Sequence, residues 1–483
     1  MTDGLDIKPG SVVDGFTVGE PAHAGGMGVL FRVSGAQPSL AQPSFPQPPF
    51  PQPPFPMVMK VPRLGPGEPP ETVATYEVES TVLAALKGPH VPRFVASGDL
   101  ATGPYLVMEW VEGRSLKEWV ERAPLPLEEV RSLGAALASA VHALHQQEVI
   151  HLDLKPSNVM VRPDGEVVLI DFGLAHHAHY PDLLAEEFHH PIGSAPYISP
   201  EQVLGVRTDP RSDVFALGCI LYQLATDQLP FGAPASPAGL RKRLFRDPLP
   251  PRALVPGFPE WLQEVILKAL EPDAAQRHAS AAQLAFDLAH PEQVAVTARG
   301  RRTRRVAGLR QLLRWIRAAG MEPRVALLPT AQVARAPIVL AAVATGHGNE
   351  AQFEALRRAV RRLLDAEPGM RLACVTAIRP TSDLGGSAED ETAARQRIKH
   401  LVLLRHWAEP LALPRGRVSF HAIAAADPAD ALRDYARANG VDQIVIGAPP
   451  PDLPLKGIMQ TVSTKVALGA PCSVTVVRPP SGG

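Results

Sequence analysis

The chain has 483 residues and a formal net charge of −1, too long for one ordinary domain and too neutral for a dedicated nucleic-acid binder. With 45% apolar and 20% charged residues, its composition excludes a disordered protein and leaves ample sequence for two or three buried cores. Proline is in excess at 52 residues and must gather in loops, linkers or an insert, because it ends helices and interrupts strand ladders.

The opening MTDGLDIKPG has neither the basic start nor the apolar centre of a signal peptide. No run reaches the roughly 18 apolar residues of a membrane span, so a cytoplasmic protein without such a span is expected. Cys219, Cys374 and Cys472 are far apart and each lies in an apolar run. That spacing fits buried thiols in a reducing compartment rather than a disulfide framework or a zinc site.

The first patterned element, AHAGGMGVLFRV, brings together Gly25, Gly26 and Gly28 ahead of alternating apolar residues. It reads either as a plain turn or as a strand–turn–strand loop whose bare backbone approaches phosphate oxygens. Over residues 37–56, QPSFP is followed by two copies of QPPFP, which predicts an extended polyproline segment. Such an insert serves either as a surface spacer or as a docking segment for an aromatic-lined groove on a partner. MVMKVPR then sets Lys60 in a strand-like apolar run, where a lone ammonium needs an anionic partner. Glu79, on the helix predicted for ETVATYEVESTVLAALKG, is the candidate.

GPYLVMEWVEGRSL reads as a buried strand ending in an acidic turn, followed by VIHLDLKPSNVMV, a hairpin near Pro163–Gly165, and VVLIDFGLA. Asp153, Lys155, Asn158 and Asp171 thus fall on turns after apolar strands. Asn158 and Asp171 offer the hard oxygens that suit Mg²⁺. Asp153 is left to accept a hydroxyl proton, and Lys155 to neutralise charge on a moving phosphoryl group.

Farther on, arginines crowd residues 299–317, and Leu309, Leu312, Leu313 and Ile316 recur at helical spacing. This basic linker, residues 291–335, reads as a solvated interdomain helix, as a binder of anionic surfaces, or as a segment docked on the preceding domain. After Pro337, short apolar runs alternate with helical stretches, which predicts a parallel sheet covered on both faces.

The ordered set of Gly-rich loop, Lys60, Glu79, HLDLKPSN, DFG, GSAPYISPE, RSDVFALGCILYQLATDQLPF and Arg277 resembles a eukaryotic-type protein kinase of the bacterial Ser/Thr class. The resemblance covers residues 13–290 and implies a bilobal α+β kinase fold, with the N-lobe reaching to about residue 110. It also implies ATP and Mg²⁺ as cofactors and protein hydroxyls as substrates. Gly25, Gly26, Gly28 and Leu30 would then cover the nucleotide, and Lys60, paired with Glu79, would hold its phosphates. Met108 would be the gatekeeper and Glu109 to Val111 the adenine-facing hinge. Asp153 would be the catalytic base assisted by Lys155, with Asn158 and Asp171 on the metal. Glu201 would pair with Arg277, Asp213 would brace the catalytic loop, and Ser194 would shape the substrate pocket.

Four residues depart from the family pattern: His23 for a loop glycine, Leu30 for valine, Leu152 for the arginine before the catalytic aspartate, and Ser199 for alanine. None removes a group the chemistry requires, so an active kinase is expected, and the alternative is an ATP-binding pseudokinase scaffold. Leu152 supplies no charge for a loop phosphate to pair, and no Ser or Thr lies between Asp171 and Gly193. Activation without loop phosphorylation is therefore expected. His176, His177, His179, His189 and His190 crowd that loop, either as exposed residues or as a store of positive charge at low pH.

Residues 336–480, most clearly DQIVIGAPP and VSTKVALGAPCSVTVVRP, resemble a universal stress protein domain. That resemblance implies an α/β parallel sheet, a second copy of the chain as a possible partner, and a role in stress signalling. The nucleotide-binding pattern of that family is broken: Ala344 stands near the expected aspartate, and Pro450 and Gln460 replace glycines, while Gly447 and Thr461 match. No nucleotide is expected in this domain, and no nucleic acid is expected as a partner of the chain.

Overall fold

The computed structural model describes residues 7–25, 28–35, 54–63, 71–98, 103–180, 182–187, 190–305, 337–346, 350–367, 369–378, 387–414, 417–448 and 461–479. Most of the proline insert, Gly26, His189, Leu309 to Ile316, Pro450 and Gln460 lie outside these residues.

The N-terminal lobe is an antiparallel sheet of β1 (Val12–Val13), β2 (Phe16–Gly25), β3 (Gly28–Ser34), β4 (Met57–Pro62), β5 (Phe94–Ser97) and β6 (Leu106–Glu109), in the order β1-β2-β3-β4-β6-β5. Helix α1 (Glu71–Ala85) accompanies it. Alternation along the strands sends Phe16, Val18, Phe31, Val33, Met57, Met59 and Val107 into one apolar core.

The second lobe is mainly helical. Short β7 (Arg114–Ser115) and α2 (Lys117–Val120) lead into α3 (Leu127–His145). Then follow β8 (Val149–Ile150), β9 (Val159–Val161), β10 (Val167–Leu169), β11 (His176–His177), α4 (Leu183–Glu187) and α5 (Pro200–Val203). Helices α6 (Arg211–Thr226), α7 (Pro237–Arg241), α8 (Glu260–Ala269) and α9 (Ala281–Ala289) complete it. Helix α6 is apolar nearly all round and becomes the buried axis of the lobe. Ser199 has a local reason to depart from the family's alanine. It caps α5, its hydroxyl accepting from the Gln202 amide while the Gln202 side chain accepts from the Ser199 amide.

The C-terminal domain comprises β12 (Ile338–Ala342), α10 (Glu350–Ala366), β13 (Arg371–Ile378), α11 (Ser387–Ala408), β14 (Val418–Ala424), α12 (Pro428–Asn439), β15 (Gln443–Gly447), α13 (Val462–Gly469) and β16 (Ser473–Val477). Its five strands are parallel, in the order β14-β13-β12-β15-β16. Residues of β12 and its extension alternate between faces: Val339, Ala341 and Val343 join α10 and α11, whereas Ile338 and Leu340 join α12 and α13. The sheet is thus covered on both sides, as parallel sheets require.

Two expectations need correction. The first stretch of the basic linker is not a solvated helix. The Gln263 side-chain amide of α8 donates to the carbonyls of Arg299, Gly300 and Arg302, and Arg299 is paired with Glu264 at 2.8 Å and Glu271 at 3.1 Å. This stretch is docked on the preceding domain because Glu264 of α8 and Glu271, just past its end, offer it two acids. Cys219 and Cys374 are buried, but Cys472 is only half-buried, since it precedes edge strand β16.

Candidate active site

Strand β4 lies between β3 and β6, and its register sets Lys60 opposite Leu30 on one side and Leu106 on the other. The ammonium therefore emerges from apolar surroundings. Its nitrogen lies 2.6 Å from Glu79 Oε2 on α1 and 3.0 Å from Asp171 Oδ1. Burial alone would lower the pKa of Lys60, but the Asp171 and Glu79 carboxylates together raise it above the ordinary lysine value. Asp171 titrates below the usual range: burial opposes ionisation, and Lys60, Lys155 and His151 outweigh it.

Gly28 is needed for a reason other than phosphate access. At φ +153° a Cβ would lie 2.4 Å from the Val61 carbonyl oxygen of β4, so the close approach of two strands requires this glycine. Gly25 pairs with Gly28 at the tip of the β2–β3 hairpin.

The catalytic-loop candidates are held by long-range polar contacts. Leu152 has a left-handed backbone, φ 61°, which is costly for a bulky side chain. The buried Asp213 carboxylate of α6 offsets this by accepting from the amides of His151 at 2.8 Å and Leu152 at 2.9 Å. It also pairs with His145 at 2.9 Å, and the Gln202 side chain donates to the Leu152 carbonyl at 2.8 Å.

Asp153 follows, buried and surrounded by donors. Its Oδ2 accepts from Lys155 Nζ at 2.7 Å and Asn158 Nδ2 at 3.3 Å, and its Oδ1 from the Ser194 amide at 2.8 Å. Lys155 also donates to the Ser194 hydroxyl at 3.1 Å. The Asn158 amide group also donates to the Asp153 carbonyl at 3.0 Å, which leaves Oδ1 as the atom able to face a cation. The Ile170 amide donates to the Asn158 carbonyl at 2.9 Å, tying the Asn158 and Asp171 turns together. Two hard oxygen donors, one from an amide and one from a carboxylate, fit Mg²⁺ carried on phosphates.

At the hinge, Met108 is half-buried and Val111 buried. The Glu109 side chain is buried against Arg93 at 3.0 Å and Arg162 at 2.7 Å. It braces the hinge to the turn after β9, while the Glu109 and Trp110 amides donate to the Arg93 and Pro56 carbonyls at 2.8 Å. Glu201 accepts from both terminal nitrogens of Arg277, at 2.6 and 2.8 Å, beneath α5.

The loop histidines depart from the picture of five ordinary imidazoles. His176 is pushed below its usual pKa by burial, with Asp182 opposing, and His177 is lowered by burial and by His179. Pairing of β11 with β8 draws these rings inward, so they do not provide a store of free positive charge. Sequence reasoning missed Asp182, which accepts from Arg207 Nε at 2.8 and 3.1 Å while Arg207 also donates to the Leu174 carbonyl at 2.9 Å. An acid in a loop without Ser or Thr was the available signal.

In the C-terminal domain, a cavity of about 670 Å³ opens at the carboxyl ends of β12, β13 and β15. Ala344, Thr345, Thr376, His400, Gly447 and Thr461 line it, and Thr345 bonds His400 at 2.6 Å and Thr376 at 2.9 Å. No carboxylate occurs among the described lining residues.

The protein kinase domain family matches residues 58–287, and the universal stress protein family matches residues 339–478. A "probable serine/threonine-protein kinase" of Clostridium perfringens is 34% identical over 45% of this chain and 32% of its own length. The serine/threonine-protein kinase PknB of Mycobacterium leprae is 32% identical over 48% of this chain and 38% of its own length. The chain thus spans little more than a third of the curated relatives it matches. The solved PknI kinase domain of Mycobacterium tuberculosis, 23% identical, aligns over 59% of this chain and 99% of that one with a TM-score of 0.44. Two family matches, each falling on one of the two folded regions, identify this chain as a protein kinase domain joined to a C-terminal universal stress protein domain.

Proposed function

We propose that this chain is a serine/threonine protein kinase that transfers the γ-phosphoryl group of Mg-ATP to protein hydroxyls. The observation that carries the reading is Asp153, a buried carboxylate held by Lys155, Asn158 and the Ser194 amide in a chain that also pairs Lys60 with Glu79 and Asp171. Lys60, fixed between two acids, orients phosphate oxygens, and Leu30 and the β2–β3 hairpin cover the nucleotide. The hinge backbone from Glu109 to Val111, behind Met108, meets the adenine.

Asn158 and Asp171 would hold Mg²⁺, which supplies charge neutralisation on the phosphates when bound. Asp153 orients the incoming hydroxyl and accepts its proton, while Lys155 offsets negative charge between that hydroxyl and the phosphoryl group. Lys155 also reaches Ser194, so the residue that shapes the substrate side is tied to the base itself.

The domain extends over residues 13–290 in this reading, and the stress-protein domain over 336–480. That second domain supports a role in stress signalling. Edge strand β16, with Val476 exposed, supports pairing with a second copy.

Radiolabelled ATP offered with myelin basic protein tests the reading. Asp153→Asn should lose on the order of 10²–10⁴-fold in rate, the usual contribution of a positioned base, with unchanged melting behaviour. Equal labelling by both proteins would establish the scaffold alternative instead.

A further inference from the structure

The C-terminal domain rests on the two kinase elements whose positions matter most for a paired Lys60. Helix α1 carries Glu79 toward Lys60, and Glu77, two residues earlier, projects from roughly the opposite face of the same helix. Glu77 is bonded by Arg405 of α11, whose guanidinium also lies over the Phe420 ring of β14 at 5.2 Å.

Helix α4, in the segment after DFG, packs on α1 and presents Glu186 to the C-terminal domain. There Glu186 accepts from Arg371 at 3.1 Å and Tyr435 at 3.0 Å, and lies 2.9 Å from His421 Nε2. His421 is fully buried, and the Glu186 side chain is 9% exposed. Burial works against ionisation of Glu186, yet His421 and Arg371 hold its carboxyl down to about 2. Around these pairs, Ile378, Leu401 and Ala422 of the C-terminal domain are continuous with the apolar core of the kinase domain.

Building on the kinase reading, we propose that the C-terminal domain is an intramolecular clamp. It holds α1 in the Lys60-paired position and the segment around α4 in its ordered form, the task a loop phosphate performs in kinases that have one. Three observations converge on this. Residues Asp171 to Gly193 include no Ser or Thr to phosphorylate, and Leu152 offers no charge to receive a phosphate. The segment's own acid, Asp182, already occupies Arg207. The remaining anchor, Glu186, is satisfied by residues of the other domain. A buried acid with three partners across a seam is costly to strip of them, so separation of the domains is coupled to disorder of α4 and release of α1.

The test uses the full chain carrying Arg371→Ala with Arg405→Ala, both outside the kinase domain, and the charge exchange Arg405→Glu with Glu77→Arg. Phosphoryl transfer and amide hydrogen exchange are measured on each. The double-alanine variant should lose roughly 5- to 150-fold in rate, the range of ordinary coupling between sites. Exchange should rise over residues 71–85 and 183–187 and stay unchanged in β12 and β13, and the charge exchange should recover most of the rate. An unchanged or increased rate in the alanine variant would overturn the clamp, the increase showing an inhibitory contact instead. Should the unaltered chain transfer no phosphate, the kinase reading fails on its own. Exchange then decides the clamp: increased exchange in α1 and α4 supports it, and unchanged exchange overturns it.

Discussion

The kinase domain and the C-terminal domain both gather polar side chains beside a sheet, but they place buried charge differently. In the kinase domain Glu79, Asp153 and Asp213 are buried, Lys60 and Asp171 are partly buried, and all five are held by specific partners. In the C-terminal cavity the described lining is hydroxyls, the amides of Gln352 and Gln396, the His400 imidazole, the Lys399 side chain and apolar side chains, with no carboxylate. Buried charge is expensive to keep, so a cluster of it held by specific partners marks a candidate functional site. The C-terminal domain instead buries His421 against Glu186 at the seam with its neighbour. One region gathers its buried charge around the candidate active site, the other along the seam between the domains.

That contrast breaks most readily at the structural ion pair beneath α5. Arg277→Ala strands Glu201 with its strongest partner gone and should cost about 3–5 kcal/mol, as removal of one member of a buried pair does. The exposed C-terminal pair Arg437–Asp434 is the control. Its side chains are 63% and 73% exposed, and Arg437→Ala should change stability by under about 0.5 kcal/mol. Thermal melts of the two variants compare them directly, and equal shifts would remove the distinction.

A second, smaller effect concerns acid. Glu186 faces His421, Tyr435 and Arg371, and docking lowers its carboxyl from 4.5 to about 2. A carboxyl lowered by docking contributes stability that is fully present above 4.5 and is lost as pH falls toward 2. The seam should therefore loosen across that window, read as rising hydrogen exchange in α4. Glu186→Gln should show loosened exchange already at neutral pH and little further change in acid; an acid response equal to that of the unaltered chain would remove Glu186 as the cause.

The smallest signal sharpens the comparison of the cavities themselves. Calorimetric titration of the full chain with Mg-ATP should give one nucleotide per chain, and Lys60→Ala with Asp171→Asn should abolish it. A second site persisting in that variant would show that the C-terminal cavity, despite Ala344, still takes nucleotide.

The sequence alone made the candidate catalytic residues readable because they come in short runs. Asp153, Lys155 and Asn158 share one loop, Asp171 lies one hairpin later, and Lys60 is a rare lysine inside an apolar strand. The alternation of strands and helices after Pro337 likewise forecast a doubly covered parallel sheet, since periodicity is local. What only the tertiary structure decided is how these runs are held. Asp213 reaches the Leu152 amide from 61 residues away in sequence, Gly28 is demanded by the backbone of a neighbouring strand, and Ser199 proves to be a helix cap. Glu186 had no local signal at all. An acid at the end of a short helix looks like any solvated surface residue, and its meaning comes from Arg371, His421 and Tyr435, which lie 185 to 249 residues farther on in two of its contacts. Local chemistry is written in neighbouring letters, whereas a contact between domains exists only once both have folded and their surfaces have met.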